Sequence, residues 1–251
     1  MSRMDLQLLA LLLVVVTLLI WRATTRERRE YQQFKRMRST VARQKVMRKW
    51  LIESVLIMGG LSAAVLLAAW EYVPTALRDA QAWAPIAASR DFFDTSLGAG
   101  LAIGAVIGGL AAIVVPLILV RNESPDDIPK LGDIGALLPR TRGELPYGAG
   151  LALSAGVFEE LLFRLALPAL LFGIGLNGPL AFLVATVLFG CLHLYQKAVG
   201  VLMATVLGLI FAFLYLVSGS IVLAIVVHVL IDIRSLVLLP LLLGKVWSKR
   251  A

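Results

Sequence analysis

The sequence predicts an all-α, polytopic transmembrane helical bundle of about seven spans, on three observations. Hydrophobic residues make up 59% of the 251 and charged residues only 16%, which is more apolar surface than a domain in water can hide. Several stretches run without a charge for roughly the 20 residues a helix needs to cross a hydrocarbon core. The basic charge is also concentrated, because Arg22–Lys49 carries eleven Lys/Arg against Glu27 and Glu30 in a chain whose net charge is +8. Such a cluster beside an apolar run marks a cytoplasmic segment.

The spans follow in order. Leu6–Trp21 is the first; Arg3 before it imitates a signal peptide, but no small-x-small site follows Ile20, so an uncleaved anchor is expected. Arg22–Lys49 reads as a basic cytoplasmic loop that could touch anionic lipid, and its placement argues against nucleic acid as the partner of the positive charge. Trp50–Trp70 then runs outward, Glu71–Asp94 is an outer loop, and Ser96–Val120 returns inward. Gly100, Gly104 and Gly108 clear a stripe on that last helix for close packing. Arg121–Glu144 is polar and interrupted by Pro125, Pro129 and Pro139, a cytoplasmic linker.

The expected division is therefore 1–145, a three-helix membrane part with the basic loop 22–49 and the polar linker 121–145, and 146–251, a helical core with a basic tail. After Pro146, which suits a helix start, apolar segments run over 147–174, 178–196, 199–217 and 219–235. Breaks fall at Gly173–Gly178, Gln196–Lys197 and Ser218–Ser220. Four crossings return the chain to the cytoplasm, where the tail holds Lys245, Lys249 and Arg250. An integral protein of the plasma (inner) membrane with its N-terminus outside and its C-terminus cytoplasmic is expected. No internal repeat and no inverted pair of broken helices marks a secondary transporter.

Between 145 and 244 only Glu159, Glu160, Arg164, Lys197, Asp232 and Arg234 are charged, and the chain's two histidines, His193 and His228, fall in the same stretch. An ionisable group in a bilayer costs on the order of 2.5–3.5 kcal/mol on insertion scales, so each needs a partner or a job. Glu160 and Arg164 stand four apart and predict an ion pair; Glu159, about 100° around the helix, is left to point elsewhere. His228 and Asp232 are again four apart, so the carboxylate can orient the ring and fix its tautomer. Phe189 precedes His193 by one turn and can shield it.

Glu159, His193 and His228 thus face a common interior from three helices, a water-activating set. Taken singly, a membrane histidine or a Glu/Arg pair is commonly a packing feature; their joint occurrence in a charge-poor hundred residues points to chemistry. Their depths converge only if 146–150 lies in the interface, which predicts a site open to the cytoplasmic half. Lys197 reads as a solvated loop charge. Arg234 either snorkels to the inner surface or neutralises Asp232. Cys191, the single cysteine, stands two residues from His193 and does not face it on a helix. Ser154 lacks a surrounding GxSG, and no HExxH occurs.

Glu159-Glu160-Leu161-Leu162-Phe163-Arg164 is EExxxR, Phe189 to His193 is FxxxH, and His228 to Asp232 is HxxxD. This order across successive helices resembles the CPBP family, the CAAX proteases and bacteriocin-processing enzymes also called Abi, which includes the type II CAAX prenyl endopeptidases. The resemblance covers Pro146 to Arg234. It implies a membrane-embedded peptidase acting on a peptide or membrane-anchored protein in the lipid bilayer, with Glu159 as general base assisted by His193. His228 and Asp232 would hold the oxyanion or the attacking water, and Glu160 and Arg164 would support them.

The family is often termed metalloprotease, and Glu159, His193 and His228 could bind Zn²⁺; a metal-free glutamate/histidine mechanism has also been proposed for it. Many members carry Asn where this chain has Asp232. An ionised Asp cannot donate a hydrogen bond, so Asp232 is expected to orient His228 or to sit near a metal, with His228 as the oxyanion donor. Two other functions fit the same residues: a non-catalytic scaffold, immunity or regulatory protein, and a proton-coupled transporter relaying through Glu159 and the histidines.

Overall fold

The computed structural model describes residues 3–119 and 135–242. The basic tail and residues 121–134 of the expected linker lie outside the described residues. Among those described, every regular element is helical, as lipid demands of a chain that must satisfy its backbone internally. α1 (Arg3–Trp21) continues through a π-helical turn at Arg22–Glu27 into α2 (Arg28–Arg36). The basic stretch expected as a loop is therefore mostly helix, in keeping with the high helix propensity of its Arg, Lys, Gln and Glu residues.

A short bend leads to α3 (Thr40–Glu53), capped by Ser39, whose hydroxyl accepts the Ala42 backbone N–H. α3 passes through a second π-helical turn into α4 (Gly60–Ala69). The segment expected as an outer loop folds into two short helices, α5 (Val73–Gln81) and α6 (Ala84–Phe93), before α7 (Ser96–Leu119). The second half comprises α8 (Leu145–Glu160), α9 (Leu167–Gly173), α10 (Gly178–Cys191), α11 (Lys197–Ser218), α12 (Ile221–Ile233) and α13 (Leu239–Leu242).

Five helical runs among the described residues are long and apolar enough to cross a membrane: Leu6–Arg36, Thr40–Gln81, Ser96–Leu119, Gly178–Ser218 and Ile221–Leu242. Two features separate that number from the seven expected. The run Gly178–Ser218 is helical throughout but reverses at Lys197, whose φ of 66° lies in the left-handed region; α10 and α11 consequently pack against each other as a hairpin. The run 145–173 carries Glu159, Glu160 and Arg164, which lower its apolarity.

One hydrophobic core crosses the boundary expected at residue 145. Leu8, Val15 and Leu19 of α1 and Val65 and Ala69 of α4 are buried with Leu162, Phe163, Leu167 and Leu170 of the second half. Between helices in lipid, close packing supplies the attraction that water would otherwise drive. Gly156 shows how close it becomes: a Cβ there would lie 3.0 Å from the Val229 backbone nitrogen and 3.2 Å from its Cα. α8 and α12 accordingly lie backbone to backbone, and that contact brings their polar side chains within reach of one another.

α5 and α6 hold the ends of the hairpin. Asp79 accepts the Gly178 backbone N–H at 2.6 Å at the start of α10. Gln81 and Arg90 donate to the Leu216 and Val217 carbonyls at the end of α11, satisfying groups that a helix terminus leaves bare. On the opposite side, Arg43 of α3 makes a fully buried pair with Glu144, its Nε 3.0 Å from Oε1. Arg43 also donates to the Ala136 and Leu138 carbonyls and lies over the Phe34 ring. Glu144 immediately precedes α8, so this pair ties the basic helices to the helix that carries Glu159 and Glu160.

Candidate active site

Four segments supply the polar cluster: the end of α8, the π-helical turn Leu161–Ala166, the 3₁₀ turn Leu192–Gln196 and α12. π-helical turns often occur at functional sites, and this one carries Arg164 directly after the two glutamates.

Glu160 is fully buried and serves two partners. Its Oε2 lies 3.2 Å from Arg164 Nε, the ion pair expected from the four-residue spacing. Its Oε1 lies 2.8 Å from His228 Nδ1 on α12, a bridge between helices that the spacing within one helix could not reveal. Asp232, expected as the orienter of His228, stands 3.7 Å from Nε2, beyond hydrogen-bond length. Glu160 therefore holds the ring at Nδ1, and Nε2 faces the Asp232 carboxylate without bonding it.

Two residues not singled out from the sequence complete this support. Phe211 of α11 stacks on the His228 ring, centroids 4.6 Å apart and planes within 17°. Gly208, one turn earlier, offers its carbonyl to Arg164 Nη2 at 3.1 Å. The Arg164 guanidinium also lies over the Phe189 ring at 4.6 Å, a favourable arrangement for a desolvated cation. The combination Gly208-x-x-Phe211 on an apolar helix was a faint signal, because glycine and phenylalanine are ordinary packing residues there.

Glu159 is placed differently. It is half-buried, and among the described residues it makes no hydrogen bond or ion pair. The charges of His228, Asp232, Glu160 and Arg164 all act on it, so it belongs to the cluster without being consumed by it. Two neighbouring carboxylates thus differ: Glu160 is occupied on both oxygens and Glu159 on neither.

His193 sits on the 3₁₀ turn after α10, half-buried, with Nδ1 3.0 Å from the Phe189 carbonyl. A carbonyl only accepts, so Nδ1 carries the hydrogen and Nε2 keeps its lone pair. Phe189 packs on the ring at 5.0 Å, as its spacing predicted, and also meets His228 edge-on at 6.3 Å. Tyr195 also stacks with His193 at 6.0 Å and in turn meets Tyr31 of α2 at 5.3 Å. The basic amphipathic helix thereby reaches the edge of the cluster.

The remaining candidates sort themselves. Ser154 is buried and donates to the Leu151 carbonyl. Cys191 is exposed. Lys197 is exposed at the hairpin reversal. Arg234 makes no ion pair with Asp232, and its buried Nε finds no hydrogen-bond partner among the described residues. Glu159, His193 and His228 do not close around an ion: among the described residues no three His, Cys, Asp or Glu side chains group as a metal site.

Residues 141–234 match the family model of the Type II CAAX prenyl endopeptidase Rce1-like proteins. The matched segment takes in the whole cluster from Glu159 to Asp232. No curated protein and no solved structure matches the chain significantly.

Proposed function

We propose, from the match of residues 141–234 to that endopeptidase family and the apolar helices that surround them, that the protein is an intramembrane endopeptidase. It hydrolyses a membrane-proximal peptide bond by glutamate/histidine activation of water near the cytoplasmic face. The observation that carries this reading is the contrast between Glu160, engaged by Arg164 and His228, and Glu159, which has no hydrogen-bond partner among the described residues. A general base needs a free lone pair.

In this mechanism Glu159 takes a proton from water, and the hydroxide oxygen adds to the scissile carbonyl carbon. The oxyanion that forms is met by His228, whose imidazolium form has Nε2–H left to donate while Nδ1–H is held by Glu160. His193 Nε2 accepts a hydrogen bond from the attacking water. When the carbon–nitrogen bond breaks, Glu159 returns its proton to the departing amine. Because the donor groups do not assemble around an ion, no step is routed through a metal.

The substrate would be a peptide or membrane-anchored protein whose cleavage site lies near the inner face, a prenylated C-terminus being the form the family's name suggests. The same reading gives seven crossings, with α10 and α11 crossing separately and 145–173 crossing as well. The C-terminus is then cytoplasmic and the membrane the plasma (inner) membrane.

Purified protein and Glu159→Ala, offered membrane-anchored peptide libraries that include prenylated members, test the reading. Cleavage by the wild type alone supports it. Equal cleavage by both would remove Glu159 from the mechanism, and pH-driven flux in liposomes without cleavage would favour transport.

A further inference from the structure

α2 and the turn before it sort their charges by face. At 100° per residue, Ala23, Tyr31 and Phe34 fall on one side and are buried. The helix's two acids are both engaged: Glu27 pairs with Arg22 at 2.8 Å. Glu30 pairs with Arg26 and Lys49 and accepts from the Trp50 indole. Arg26 also reaches Glu53. The opposite half of the circumference keeps Arg28, Arg29 and Arg36, all exposed and without an ion pair among the described residues. Together with Thr25, Gln32 and Gln33 they line a groove of about 370 Å³.

This groove has a fixed relation to the bilayer. Trp21, half exposed at the end of the apolar run, is the residue type that anchors at the interface. Arg28 and Arg29 follow seven and eight residues later, about 10–12 Å along the axis. Helical side chains lean toward the N-terminus, which here is the direction of the membrane. Two guanidiniums thus lean back toward headgroup depth, while Arg36 lies about 12 Å further out on the same face and adds its charge to theirs. Guanidinium forks and amide N–H groups match phosphate oxygens.

We infer that the Arg28/Arg29/Arg36 face is a binding site for the headgroup of an anionic phospholipid of the same leaflet. The pairing of Glu27 with Arg22, and of Glu30 with Arg26 and Lys49, is what leaves this face cationic. The site is distinct from the polar cluster around Glu160, and it stands whether or not that cluster hydrolyses peptides.

Native mass spectrometry of the full chain in detergent, titrated with phosphatidylglycerol or phosphatidylcholine, tests the inference. The wild type should select phosphatidylglycerol. The triple variant Arg28→Gln, Arg29→Gln, Arg36→Gln should lose on the order of 100-fold in affinity for it, and Arg29→Gln alone about 5-fold. A second triple variant, Arg38→Gln, Lys45→Gln, Arg48→Gln, removes the same charge from exposed neighbouring positions and should stay within a few-fold of wild type. Thermal unfolding establishes that each variant is folded; the single variant decides if the triple is not. Retained selectivity in the groove variants overturns the site, equal losses in both triples reduce it to bulk charge, and complete displacement of lipid by excess inorganic phosphate reassigns it to a soluble anion.

Discussion

Glu160 Oε1 and His228 Nδ1 stand 2.8 Å apart across the α8–α12 contact, and the same carboxylate meets Arg164 through its other oxygen. Two groups of low exposure, the Arg164 guanidinium and the His228 ring, therefore depend on one side chain. Glu160→Ala leaves both Arg164 and His228 without their carboxylate, and breaking such a buried pair costs about 3–5 kcal/mol. A marked fall in unfolding temperature together with lost cleavage is expected, measured by thermal unfolding in detergent and by peptide hydrolysis.

Glu159→Gln is expected to separate chemistry from stability. With no hydrogen-bond partner among the described residues, Glu159 can change with little effect on unfolding, whereas loss of a general base costs on the order of 10²–10⁴ in rate. Parallel unfolding and cleavage assays check this. An unfolding shift as large as that of Glu160→Ala would show that Glu159 is structural after all.

Gly156 lets α8 and α12 touch. Gly156→Ala places a Cβ against the Val229 backbone, and overpacking of this kind costs about 1–3 kcal/mol. The displacement acts on the Glu160–His228 bond one turn away, so turnover is expected to fall more than the stability loss alone explains. The relevant comparison is Val229→Ala in the Gly156→Ala background, which should restore part of the activity by relieving the side-chain contact.

Arg43 and Glu144 form a buried pair between α3 and the start of α8. Arg43→Ala or Glu144→Ala alone leaves a buried charge and should cost about 3–5 kcal/mol. The double variant should cost clearly less than the sum of the two, a coupling that a double-mutant cycle measures directly. An additive outcome would mean that the pair contributes no specific interaction.

The helical character of the chain, the breaks near Gly173–Gly178, Lys197 and Ser218–Ser220, and the Glu160–Arg164 pair were all legible in the sequence. Each depends on local periodicity or spacing. The bond from Glu160 to His228 was not, because two residues 68 positions apart meet only once α8 and α12 have packed; the i,i+4 rule reached only the longer contact of His228 with Asp232. Phe211 and Gly208 were hidden for a different reason, since their residue types carry no chemistry until a cation or an imidazole lies against them. The pairing of Arg43 with Glu144 was concealed by composition: one arginine among eleven basic residues gives no sign of being the buried one.

The shared core has a consequence for assembly. Leu8, Val15 and Leu19 of α1 are buried against Leu162, Phe163 and Leu167, which are synthesised about 150 residues later, roughly 8–30 s at ordinary elongation rates. For that interval the first helix has only lipid and, once it is made, α4 for company. Its inward face must be apolar enough to wait in the bilayer, and the second half reaches its final shape only when that waiting helix is recaptured.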